Sequence, residues 1–147
     1  MDFSLTQESN LEGDKNIQFI ELSNNLKDYF SNKNYGTELN LFLIGVICVK
    51  PEFESFFKVR KPRYKAVDRI KLLDGNVTEL TGVYGYDIKL NFEEFVSATE
   101  TESKKILAQE ILNSLSNLDK LPKKVKDFDK ERFKSDMEQF FKSENLL

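Results

Sequence analysis

Leu41-Phe42-Leu43-Ile44-Gly45-Val46-Ile47-Cys48-Val49 runs without a charge between Glu38 and Lys50 and is rich in β-branched residues. An unbroken apolar run of this length fits a strand covered on both faces, so it predicts the centre of a sheet. It falls far short of the roughly 20 residues that a membrane-spanning helix needs. Pro51 closes the run, Phe56 to Arg60 reads as a second extended stretch, and Lys61-Pro62 reads as a turn. Tyr64, Ala66, Ile70 and Leu72 then alternate with Lys65, Val67, Arg69 and Lys71, leaving one face largely basic, with Asp68 out of place on the apolar side. Asp74-Gly75-Asn76 has hairpin-turn chemistry, after which Tyr84, Tyr86, Ile88, Leu90 and Phe92 alternate with Val83, Gly85, Asp87, Lys89 and Asn91. Links this short predict an antiparallel β meander.

Helices flank the strands. Upstream, Phe19, Leu22, Leu26, Tyr29 and Phe30 recur at steps of three and four, which predicts a helix starting at Gly13 or Asp14. Asn34-Tyr35-Gly36 is expected to end it, the glycine supplying a left-handed cap. Residues 1–12 read as a flexible N-terminus. Downstream, Thr99 with Glu102 is a capping-box pattern, and Ser97 with Glu100 is a rival start two residues earlier. Leu107, Ile111, Leu115 and Leu118 form the core stripe of the helix that follows, and Leu121-Pro122 marks its exit. Asp129 is placed to cap a last helix, with Phe128 reaching Phe133 as a hydrophobic staple and Met137, Phe140 and Phe141 pointing inward. The expected fold is one α+β domain over residues 1–147: an antiparallel meander with an N-terminal helix and two C-terminal helices packed on the sheet.

The 147 residues contain no His and one Cys, Cys48. Every Ser/His/Asp or Cys/His nucleophile arrangement, every His-ligated metal and any thiolate zinc cluster are thereby excluded. Cys48, inside the apolar run, reads as a small buried hydrophobe. Carboxylates, Lys and Tyr remain, but the adjacent pair Glu93 and Glu94 points apart on a strand or a helix and cannot converge on one substrate atom. No cofactor, glycine-rich phosphate loop or metal spacing is present in the sequence, so no enzyme is expected. Met1 to Glu12 lacks the basic and apolar regions of a secretory signal, which makes the cytoplasm the expected location, with no membrane partner.

The net charge of −3 is unevenly spread: residues 1–40 carry −4, residues 50–71 carry +5, and residues 72–147 carry −4. Asp14, Gln18, Glu21, Asn25, Asp28 and Asn32 share one side of the first helix without a Lys or Arg among them. Glu93, Glu94, Glu100 and Glu102 form a second acidic group. The plain alternatives are a solvated helix face for the first and carboxylates serving helix dipoles for the second. Lys58, Arg60, Lys61, Arg63, Lys65, Arg69 and Lys71, with Phe56, Phe57 and Tyr64, make a basic and aromatic ribbon suited to nucleic acid. The acidic blocks on either side repel phosphates, so nucleic acid is the less favoured partner.

Three ordered pieces carry a family resemblance: Tyr86-Asp87-Ile88-Lys89-Leu90-Asn91-Phe92-Glu93-Glu94-Phe95, then Ile106 to Leu118, then Lys126-Asp127-Phe128-Asp129 with Phe133 and Met137. Over roughly the last 110 residues the chain resembles the polymorphic-toxin immunity proteins of the group numbered forty-four. That resemblance implies a cytosolic protein that binds the C-terminal domain of one cognate toxin stoichiometrically and blocks it, in contact-dependent growth inhibition between bacteria. Many such toxins are nucleases with basic, phosphate-binding clefts, which a carboxylate-rich inhibitor would meet as a polyanion mimic. Asp14, Glu21, Asp28, Glu93, Glu94, Glu100 and Glu102 are the expected contacts, and Arg60, Lys65 and Arg69 mark the alternative basic surface. No oligomeric state is implied.

Overall fold

Phe3 and Leu5 stand two residues apart, as one face of a strand requires, and both are buried. A computed structural model describes the backbone of residues 1–70 and 77–147, with side chains outside 67–81. Asp2–Ser9 forms strand β1 and is followed by helix α1 (Gly13–Ser31), strands β2 (Leu41–Cys48), β3 (Arg63–Ile70) and β4 (Val77–Lys89), and helices α2 (Phe92–Ser97), α3 (Glu100–Ser114) and α4 (Lys130–Ser143).

The strands lie in the order β1-β2-β4-β3. β1 pairs with β2 in parallel, β2 pairs with β4 in parallel, and β3 pairs with β4 antiparallel. The expected antiparallel meander is therefore wrong, and the fold is α+β with a mixed, mostly parallel sheet. Two physical causes explain the difference. The N-terminal segment is a strand, and a strand-helix-strand unit can return its second strand parallel to the first. Moreover, β4 enters the sheet between β2 and β3 instead of adding outside β3. Phe56 to Arg60 is corrected in part: Pro51–Phe56 is a 3₁₀ turn started by Pro51, Phe57 is extended but outside any strand, and regular pairing begins at Arg63. Phe92 opens α2, a short helix the alternation had hidden. The Asp74-Gly75-Asn76 turn and Lys71 lie outside the described residues, as do the side chains of Asp68 and Arg69.

Register brings four aromatic rings abreast across the sheet: Phe3 opposite Phe42, Phe42 opposite Tyr84, and Tyr84 opposite Tyr64. Phe133 of α4 sits over this row, its ring centroid 4.9 Å from Phe42 and 6.5 Å from Phe3. Phe19, Leu22, Leu26 and Phe30 of α1 join the same core, with Leu107 and Ile111 of α3. The helical layer thus seals one face of the sheet.

The helix ends behave as local chemistry dictates. Thr99 and Glu102 form a reciprocal capping box at α3, Asn91 caps α2, and the Asp129 carboxylate accepts from the Arg132 amide at 3.1 Å. Phe128 meets Phe133 at 5.7 Å, completing the staple. Gly36, expected to cap α1, lies beyond that helix's end at Ser31. Glycine is required there twice over: its φ is +132, and the backbone of Asp127 lies where a Cβ would stand. There the Asp127 carboxylate accepts from the Thr37 hydroxyl at 2.6 Å and from the Thr37 and Glu38 amides at 2.5 and 3.2 Å. In return the Lys126 amide donates to the Glu38 carboxylate at 3.2 Å, so the two loops hold each other.

Candidate partner-binding surfaces

The acidic expectation and the basic one fall on opposite sides of the sheet. Asp14, Glu21 and Asp28 are all exposed and repeat every seven residues along α1. At 1.5 Å rise per residue that stripe is about 21 Å long. Lys15 Nζ donates to the Ala98 carbonyl at 2.7 Å and to Ser103 Oγ at 2.9 Å, tying the start of α1 to the junction of α2 and α3. Asp14 therefore belongs to the same end of the helical layer as Glu93, Glu94, Glu100 and Glu102, while Glu21 and Asp28 run away from it. Two of that group are engaged internally: Glu100 pairs with Lys104 at 3.1 Å, and Glu102 accepts the Thr99 amide at 3.3 Å. Glu93 and Glu94 are exposed in the first turn of α2, where their charge suits the helix dipole. These carboxylates share a side of the molecule without converging.

The other sheet face is only partly covered. Residues 49–62 fold over the ends of β2 and β4, with Lys89 Nζ reaching Glu54 at 3.2 Å. Beside this segment an open groove of about 590 Å³ is lined by Lys58, Arg60, Lys61, Arg63 and Lys65, over a floor that includes Leu43, Gly45, Val83 and Gly85. Five of the sequence-predicted cations are thus gathered round one concavity. Arg69 continues the same strand, with its backbone opposite Glu79. The aromatic part of the expected ribbon is split: Phe56 is 76% exposed and Phe57 half-buried, and neither lines the groove. Tyr64 pairs with Tyr84 on the helical side, donates its hydroxyl to the Glu38 carbonyl at 3.1 Å, and lies under Lys124.

Asp87, which the alternation of β4 marks only as a strand residue, organises the edge of the groove. Its carboxylate accepts from Arg60 Nε at 2.9 Å, Arg60 Nη2 at 3.0 Å and the Arg60 amide at 2.8 Å. Its own amide donates to the Arg60 carbonyl at 3.0 Å. The Asp87 side chain is 4% exposed, whereas that of Arg60 is 71% exposed. Such a forked, charge-assisted pair fixes the guanidinium plane. The hydrogen bond to Asp87, and then its charge, push the Arg60 pKa up. Gly45 makes the pair possible, since a Cβ there would collide with the Asp87 carboxylate and crowd Arg60. Gly85 lies tight against Leu43 on the neighbouring strand, and the two glycines keep the floor low. The available signal in the sequence was a glycine in mid-run on each of two strands, with an acid close to the second.

A small α+β protein with charge displayed on two opposed faces, one of them concave and cationic, is what the fold and these surfaces define. The chain belongs to the immunity protein 44 family, which it matches over residues 1–143. The match thus extends across the N-terminal third, beyond the motifs that carry the resemblance. No curated protein and no solved structure shows significant similarity to it. Family membership gives the chain an immunity-protein role, for which the partner is a toxin protein. Among the described residues, no helix is long and apolar enough to cross a membrane.

Proposed function

We propose that this chain neutralises one cognate bacterial toxin by binding it one to one and occluding it, without turnover of its own. The family match over residues 1–143 carries the reading. The state of the reactive groups supports it. Burial pushes the Cys48 thiol up to about 11, which keeps it protonated and inert. Burial likewise pushes the Tyr84 phenol up to about 12, and its hydroxyl is spent on the Asn117 carbonyl. Tyr86 is raised by burial as well and is hydrogen-bonded to Ser114 at 2.8 Å.

A nuclease is the target class that the exposed stripe of Asp14, Glu21 and Asp28 fits, because a phosphate-binding cleft must be cationic. In that arrangement the stripe acts on the approach and not in the docked contact, so Glu21→Lys with Asp28→Lys lowers the association rate by only a few-fold while leaving the melting temperature nearly unchanged. The concave basic groove favours a second reading of the contact, in which the toxin supplies the carboxylates. The test of function is common to both: the purified chain is mixed with the C-terminal domain of the toxin encoded by the neighbouring reading frame. A one-to-one complex with loss of toxin activity is expected. Full toxin activity in the presence of a molar excess of the chain would overturn the proposal.

A further inference from the structure

We infer that the open-face groove is the docking site for the toxin and that its occupant is an acidic segment of that protein. The inference rests on the proposed function, since it takes a protein toxin to be the partner. Three observations carry it. The groove is concave and bordered by Lys58, Lys61, Arg63 and Lys65, all exposed, around an apolar floor at Leu43 and Val83. A cationic rim over an apolar floor matches a protein segment that alternates carboxylates with apolar side chains, because each kind of group then meets its complement. Asp87 takes both forks of the Arg60 guanidinium, so that cation is already neutralised and shapes the edge of the groove, leaving the lysines and Arg63 to meet incoming charge. Finally, the carboxylates of α1 lie along a convex helix, on which a partner gains less buried contact.

A nucleic acid fits the groove less well. Its bases need aromatic platforms, and none of Phe56, Phe57 and Tyr64 lines the groove, Tyr64 being turned to the opposite face with its hydroxyl bonded.

The experiment uses the full chain and the toxin C-terminal domain from the neighbouring reading frame. Calorimetric affinities are measured for the wild-type chain, for Lys61→Glu with Arg63→Glu and Lys65→Glu, and for Glu21→Lys with Asp28→Lys. The groove triple variant is expected to lose at least about 100-fold in affinity, while the α1 double variant binds within a few-fold of wild type. Carbodiimide coupling of the wild-type complex, which joins amines only to carboxylates in contact, is expected to link Lys58, Lys61 or Lys65 to a toxin Asp or Glu. That readout stands even if the triple variant folds poorly. Wild-type affinity in a folded triple variant, or coupling confined to Glu21 and Asp28 with toxin lysines, overturns the groove assignment and leaves the toxin-binding role standing. No complex with the wild-type chain removes both. A single-stranded 12-mer oligonucleotide that binds the wild-type chain more tightly than the toxin domain does, and is lost in the triple variant, makes nucleic acid the occupant and overturns the inference.

Discussion

Phe133 touches more of the aromatic core than any stripe of helix residues advertises. Its ring lies between 4.9 and 6.5 Å from Phe3, Phe30, Tyr35, Phe42 and Phe128, side chains drawn from β1, α1, β2 and two loops. Phe133→Ala should cost about 3–5 kcal/mol, because a cavity at a junction of so many elements cannot be closed by any one of them. Chemical denaturation reads this directly, and an unchanged midpoint would show that the ring is not packed. Gly45→Ala tests the opposite failure. The added methyl must push on the Asp87 carboxylate, and a loss of about 1–3 kcal/mol is expected from a change that only adds a carbon. Asp127 predicts a pH effect with a definite sign. Hydrogen bonds from the Thr37 hydroxyl and amide hold its pKa below the ordinary carboxylate value. Its contribution is therefore present above the ordinary carboxylate range and lost as the pH falls through the depressed value. Asp127→Asn should flatten the acid limb of the stability curve, and a limb of unchanged slope would remove Asp127 from the account.

Elements were legible where chemistry is local. The Thr99/Glu102 box, the Asp129 cap and the Phe128/Phe133 staple each depend on residues within a few positions of one another, and all three form. Thr99→Ala should accordingly cost about 1 kcal/mol, measured by thermal or urea unfolding. The sheet was not legible in the same way, because pairing is decided far along the chain. β1 offers only Phe3 and Leu5 as inward residues among eight, too weak a period to distinguish from a polar tail. Without it, β2 had no reason to be parallel to anything. The apolar density of β2 did reveal its central place, yet nothing within it says that β4 and not β3 lies alongside. For the candidate site, the cations were plain in the sequence. The concavity was not, since it depends on Gly45 opposite Asp87 and Gly85 opposite Leu43, two glycines brought to one floor by the pairing of adjacent strands.

The whole molecule hides protons as well as apolar surface, and its alkaline stability should show this. Cys48 is raised from 9.0 to about 11 and Tyr84 from 10.0 to about 12, both chiefly by burial, while Tyr35 and Tyr86 are also raised. Below the ordinary values these groups are neutral in both states. Above them the unfolded chain ionises first, so stability declines as the pH rises through that window. Urea midpoints from pH 8 to 12 should fall steadily, and Tyr84→Phe should soften the fall. The placing of β4 between β2 and β3 carries a different consequence, for the chain as it is being made. The β1-α1-β2 unit is complete at Cys48, but the strand that closes the second edge of β2 ends only at Lys89. At roughly 5–20 residues per second, the ribosome leaves that edge bare for on the order of 2–8 s, open to pairing with another nascent chain. The yield of folded protein in a cell is then governed by translation speed and chaperone cover over those seconds, and slowing synthesis between the two strands should lower it without changing the finished molecule.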